Sequence, residues 1–129
     1  MIETQIRNLV VPTSSHIEAI GSRLYIGGLP DSVTYPAVAM FVISRPEDMY
    51  ESGVITDRIQ FSCMANYLSS ATEIAEAIKD KLKRYRGQES TTESYKIINS
   101  WFGSLSYLYD DLQLKYVRIL DMFVRYIQV

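Results

Sequence analysis

Few side chains in this sequence have the type and spacing that chemistry requires, and each has a plainer role on offer. The one histidine, His16, lies among polar, loop-forming neighbours. A single imidazole cannot assemble a histidine cluster or a Cys/His zinc site within one chain, and a solvated surface position is its simpler reading. The one cysteine, Cys63, falls on the apolar side of an alternating stretch, where a thiol acts as a small hydrophobe. No basic or imidazole neighbour is evident that would lower its pKa and make it a nucleophile. Gly27-Gly28 is not followed by the lysine and hydroxyl pair of a phosphate loop, so it reads as a turn. Glu47, Asp48 and Glu51 cluster in a polar stretch, yet carboxylates share acid–base work only in a shielded cleft that shifts their pKa values. Asp110-Asp111 reads as a turn, because two acids without further oxygen ligands make a poor calcium or magnesium site. The expectation is a chain with no cofactor, no metal and no catalytic apparatus. The one excess is aromatic: ten tyrosines, five of them between Tyr95 and Tyr126. Tyrosine joins a large contact area to a polar tip, which suits it to interfaces.

The elements that position these residues organise around Ser69 to Gly87. Ala71, Ile74, Ala75, Ile78, Leu82 and Tyr85 recur at helical intervals and form one apolar stripe. Ser70 with Glu73 has the capping-box spacing, acidic residues lead and basic ones trail, and Gly87 supplies a left-handed stop. A one-sided helix of this kind must lie on an apolar surface. Ile2, Ile6, Leu9 and Val10 predict a short N-terminal helix over residues 2 to 11, and His16–Ile20 reads as a further helical turn before Gly21. Arg23–Ile26 reads as a short strand. Ala37–Ile43, an apolar run between Pro36 and Pro46, suits a buried strand. Val54–Met64 alternates, with Ile55, Ile59, Phe61 and Cys63 against Thr56, Arg58, Gln60 and Ser62, the period of a half-buried strand. Residues 45 to 53 would close these two strands into a hairpin through an unusually long loop.

After the helix, Tyr95, Ile97, Trp101, Leu105, Tyr107 and Tyr109 share a strand face, with Asn99 and Gly103 interrupting and Ser100, Ser104 and Ser106 opposite. Leu114–Ile127 reads as a final strand lined by Leu114, Tyr116, Leu120, Met122, Val124 and Tyr126. Leu108, Leu112, Lys115, Ile119, Met122 and Tyr126 would also make a helical stripe; aromatic and β-branched enrichment favours strand. The predicted class is α+β, in the order α-β-β-β-α-β-β, with a mainly antiparallel sheet and its helices on one face.

Size and charge bound the rest. At 129 residues the chain reads as one domain, residues 1–129, long enough for a hydrophobic core. A net charge of −2 gives no footprint for gripping nucleic acid. No segment has the cationic amphipathic pattern of a membrane-surface helix, and no run approaches the ~20 apolar residues that span a bilayer. The opening MIETQIRNLVV lacks the basic start and apolar core of a signal peptide. One cysteine excludes an intramolecular disulfide, which suits a reducing compartment. These observations predict a cytosolic, soluble protein.

Three stretches carry a resemblance to a known family. They are RLYIGGLPDSVTYPAVAMFVISR, then DRIQFSCMANYLSSATEIAEAIKDKLKRYRG, a strand followed at once by the long helix, and the closing YVRILDMFVRYI. Together with the N-terminal helix, and over roughly residues 20 to 128, the chain resembles the tail-terminator or tail-completion family of long-tailed bacteriophages and prophage-like particles. The resemblance implies a non-catalytic structural protein of the virion, made in the host cytoplasm. It would form a homohexameric ring at the head-proximal end of the tail, capping the tail tube protein and docking the head–tail connector or stopper. DNA would pass through the lumen without specific binding, and an acidic chain suits such a lumen. Candidate partner-binding or channel-lining residues are then Arg45, Glu47, Asp48, Met49, Tyr50 and Glu51 in the long loop, and Tyr107, Tyr109, Asp110 and Asp111 near the last turn. The acids among them are expected to line the channel or its rim. The competing reading is a small α+β adaptor or ligand-binding module, which would need an apolar pocket with converging polar groups.

Overall fold

The computed structural model describes residues 2–10, 20–21, 23–44, 53–83, 95–112 and 114–128. The elements run α1 (Ile2–Val10), β1 (Leu24–Ile26), β2 (Ala37–Ser44), β3 (Val54–Ala65), α2 (Leu68–Leu82), β4 (Tyr95–Asp110) and β5 (Lys115–Gln128). The five strands make one sheet in the order β1-β2-β3-β5-β4. β1 lies parallel to β2, and the remaining neighbours are antiparallel. The α+β class and the element order match the sequence expectation, and the described residues from Tyr95 onward form two strands and a turn.

Alternation along the central strands decides which face is covered. In β3, Asp57, Ile59, Phe61, Cys63 and Ala65 are buried. In β5, Leu120, Met122, Val124 and Tyr126 are buried opposite them. α2 lays Ala71, Ile74, Ala75, Ile78 and Leu82 on this face, and α1 adds Ile2, Ile6 and Val10. Each fully buried aliphatic side chain contributes about 1.5–3 kcal/mol relative to leaving it in water. Polar ties then fix α1: Gln5 Nε2 donates to the Tyr95 carbonyl at 2.7 Å, and Arg7 Nε to the Leu24 carbonyl at 2.8 Å. Within the covered face one carboxylate is fully buried. Asp57 Oδ2 accepts a hydrogen bond from the Tyr126 hydroxyl at 2.7 Å.

Four local expectations need correction. α2 begins at Leu68, with Tyr67 as its cap and no side-chain capping bond, so Ser70 sits inside the first turn and does not cap it. The cause is the brevity of the link from β3, which ends at Ala65, two residues short of the cap. The helix also ends at Leu82, and Gly87 lies outside the described residues. The Leu82 carbonyl, one of those a helix end leaves without an intrahelical partner, accepts from the Ser100 hydroxyl on β4. Third, Leu114 belongs to the turn, at φ +55, and β5 starts after it.

The fourth correction concerns β4. Its pairing with β5 shifts between Ile97 and Asn99 and again between Phe102 and Ser104. Each shift inserts one residue and exchanges the faces of the residues beyond it. Ile97 and Leu105 therefore face the helices, as expected, whereas between the shifts Ser100 turns inward and Trp101 outward. Asn99 and Gly103, which interrupt the pattern in the sequence, mark these two positions.

Replacing Tyr126 by phenylalanine would leave the buried Asp57 carboxylate without the hydroxyl. The expected loss is about 1–3 kcal/mol of unfolding free energy, read as a lower urea midpoint; an unchanged midpoint would contradict the role given to this bond.

Candidate functional site

The sheet face away from the helices carries no described element. On β4 and β5 it presents a ladder of flat groups. The Trp101 and Phe123 rings stack with centroids 5.6 Å apart and 11° between planes, and the Arg125 guanidinium lies 5.4 Å from the Trp101 ring. Arg125 Nε also donates to Thr56 Oγ1 on β3 at 3.2 Å. Beside the ladder, Arg58 Nη2 donates to Asp121 Oδ2 at 2.5 Å, and the Ser104 hydroxyl donates to the same oxygen at 3.1 Å. The pair is lopsided: the Arg58 side chain is 42% exposed and that of Asp121 only 6%. Buried Arg58 Nε and Asp121 Oδ1 have no hydrogen-bond partner.

Arg58, Gly103, Ser104, Asp121 and Phe123 line an open depression of about 180 Å³. Ligand pockets usually measure about 300–1,000 Å³, so this is a dimple in a surface and not a cleft for a metabolite. Gly103 gives it shape. A Cβ there would lie 2.8 Å from Cε2 of Phe123 and 3.0 Å from the Asp121 carbonyl oxygen. Only a glycine lets the phenylalanine ring close over β4 at the second register shift.

Four of the ten candidate residues gather at the turn joining β4 to β5. Tyr107 is 57% exposed beneath the Arg118 guanidinium, 5.7 Å from its ring, and Tyr109 packs on Tyr116 at 4.9 Å between centroids. Asp110 Oδ1 accepts from the Leu112 amide at 3.0 Å and so shapes the turn, while Asp111 is exposed. The other six, Arg45, Glu47, Asp48, Met49, Tyr50 and Glu51, lie outside the described residues, as does His16. Cys63 is fully buried, and burial pushes its thiol far above the ordinary range, which leaves it a core hydrophobe. Gly27 is a turn residue at φ +95, its amide bonded to the Met40 carbonyl at 2.9 Å. Among the described residues, no group of three or more His, Cys, Asp or Glu could hold a metal ion. None of their helices is long and apolar enough to cross a membrane.

Sequence reasoning missed the Arg58–Asp121 pair and the aromatic ladder. Part of the signal was present: Arg58 falls on the polar parity of β3 with Thr56, Gln60 and Ser62, and Asp121 is a lone acid within an apolar strand. The ladder had no such signal, because Trp101 reaches that face only through the register shifts in β4.

No family model matches the chain, and no curated protein sequence does. Among solved structures, the chain is similar to a chain of the "Virion of native gene transfer agent (GTA) particle". The TM-score is 0.75 at 11% identity, and the likeness covers 99% of this chain and 95% of that one. At that identity it establishes a shared fold along almost the whole length of both chains.

Replacing Gly103 by alanine should drive the Phe123 ring from its stacked position and press on a backbone carbonyl that cannot move away. We expect a loss of about 1–3 kcal/mol, the usual cost of overpacking, with a shift in the fluorescence of Trp101, the one tryptophan. Unchanged stability and emission would contradict the close approach.

Proposed function

We propose that this chain is a structural protein of a phage-like particle. In our reading it forms a homohexameric ring that ends the tail tube and joins it to the head connector. One observation carries the proposal: the fold is shared, end to end, with a chain of a gene transfer agent virion. The three stretches that resemble the tail-terminator family add the finer assignment, and neither line of support depends on the other.

The surface of the chain is compatible with such a role. A closed ring of identical subunits needs head-to-tail contacts between two different patches on each protomer. The open sheet face and the β4–β5 turn are two such patches, unlike in shape and charge. β4 is also an edge strand of 16 residues, and its two register shifts twist an edge that would otherwise pair indiscriminately. The dimple by Asp121 is itself too small for a metabolite. In the ring reading, Asp110, Asp111 and the acids of the 45–53 loop sit at the channel or its rim, where negative charge lets DNA slide without being held. DNA would then be a passenger, and the partners would be the tube below and the connector above.

Particles assembled without this chain should carry overlong tails, or tails and heads that fail to join, in electron micrographs. Tails of normal length attached to filled heads would contradict the proposal.

A further inference from the structure

Five of the large apolar side chains left exposed among the described residues sit at one end of the molecule, on and beside the β4–β5 turn. Leu112 is 97% exposed and Leu114 is 65% exposed, with Tyr107, Leu108 and Tyr109 behind them. Leu114 holds a left-handed backbone conformation, φ +55, in which asparagine or glycine would sit with less strain. Local turn chemistry therefore does not explain a leucine here. The turn also carries the exposed acid Asp111. It is an apolar knob with Asp111 at its tip, while the neighbouring Lys115 lies over the Tyr35 ring.

The open sheet face has the complementary character. Trp101 and Phe123 offer a flat apolar platform, and the cations Arg125 and Arg58 border it. Arg58 Nε is buried and unpaired, and the one carboxylate described beside these cations is that of Asp121, itself 6% exposed. Knob and platform lie on the same hairpin, nine residues apart along β5 from Leu114 to Phe123. At the rise of a strand, that is roughly 30 Å. A rigid hairpin cannot fold its own turn back over that distance, so the knob can reach only the platform of another copy.

We propose that the β4–β5 turn of one protomer docks on the Trp101–Phe123–Arg125 platform of the next, with Asp111 facing Arg125. The inference rests on the ring reading and supplies its contact. Because knob and platform differ, the contact is head-to-tail, and repetition leaves no protomer capped until a ring closes.

The test uses two variants of the full chain, each checked for native circular dichroism. One blunts the knob with Leu112→Glu and Leu114→Asn; asparagine tolerates the left-handed turn, so folding is spared. The other spoils the platform with Trp101→Glu and Arg125→Glu. Light scattering should find each variant alone monomeric, with association at least about tenfold weaker than in the wild type. An equimolar mixture should give a dimer and nothing larger, because one intact knob meets one intact platform. A third variant, Asp111→Arg with Arg125→Glu, should regain association that either single change weakens. Variants that assemble like the wild type would overturn the contact and leave the ring reading standing. A mixture that stays monomeric would overturn it equally. A wild type that is monomeric at every concentration would also reject the contact, and the ring reading would then depend on the particle-assembly experiment alone.

Discussion

Everything in this molecule depends on packing both helices against one face of a five-stranded sheet, which leaves the Trp101–Phe123 part of the opposite face open. The apolar residues of β3 and β5 meet α2 and α1 on one side only. The described residues contain no second layer for the opposite side. A sheet with one solvated face ordinarily alternates apolar and polar residues cleanly. Here the face opposite the helices buries Ala37, Ala39 and Val117 at one end and holds Phe41, Ile43, Trp101 and Phe123 among its polar residues. That surplus of apolar and aromatic surface is what a subunit needs and a solitary domain does not.

Two buried carboxylates set the sides apart. Asp57, on the covered face, is held by a tyrosine from β5, inside a core that excludes water. Asp121, on the face opposite the helices, is held by an arginine that stays partly in solvent. A half-satisfied ionic pair is a poor stabiliser of a lone chain, since an unpaired buried oxygen costs about 1–3 kcal/mol. In the proposed contact between copies, the same pair would gain partners. Stability and association would then draw on the same residues.

The element order and the fold class were legible in the sequence because they arise from periodicity, which survives in any one stretch of chain. The strand alternation of Val54–Met64 reappears in the structure, as does the stripe of α2 from Ala71 to Leu82; Tyr85, its predicted last member, lies outside the described residues. The features that were not legible came from contacts between distant segments. The carbonyl at the end of α2 is satisfied by a serine on β4, 18 residues beyond it. The outward turn of Trp101 depends on pairing shifts that need β5 in place. Asn99 and Gly103 marked those shifts, but an interruption in a pattern does not reveal on which side it resumes. The candidate site was legible only where the turn chemistry of Asp110-Asp111 located the end of the hairpin. The platform, built from four positions on three strands, was beyond the reach of spacing arguments.

The most direct measurement is where the chain sits in an intact particle. An epitope tag following Val129, visualised with gold-labelled antibody by electron microscopy, reads this out without assuming any contact. The account predicts label at a single place on each particle, the joint between head and tail. Label along the tube, at the distal tip or on the head shell would contradict it.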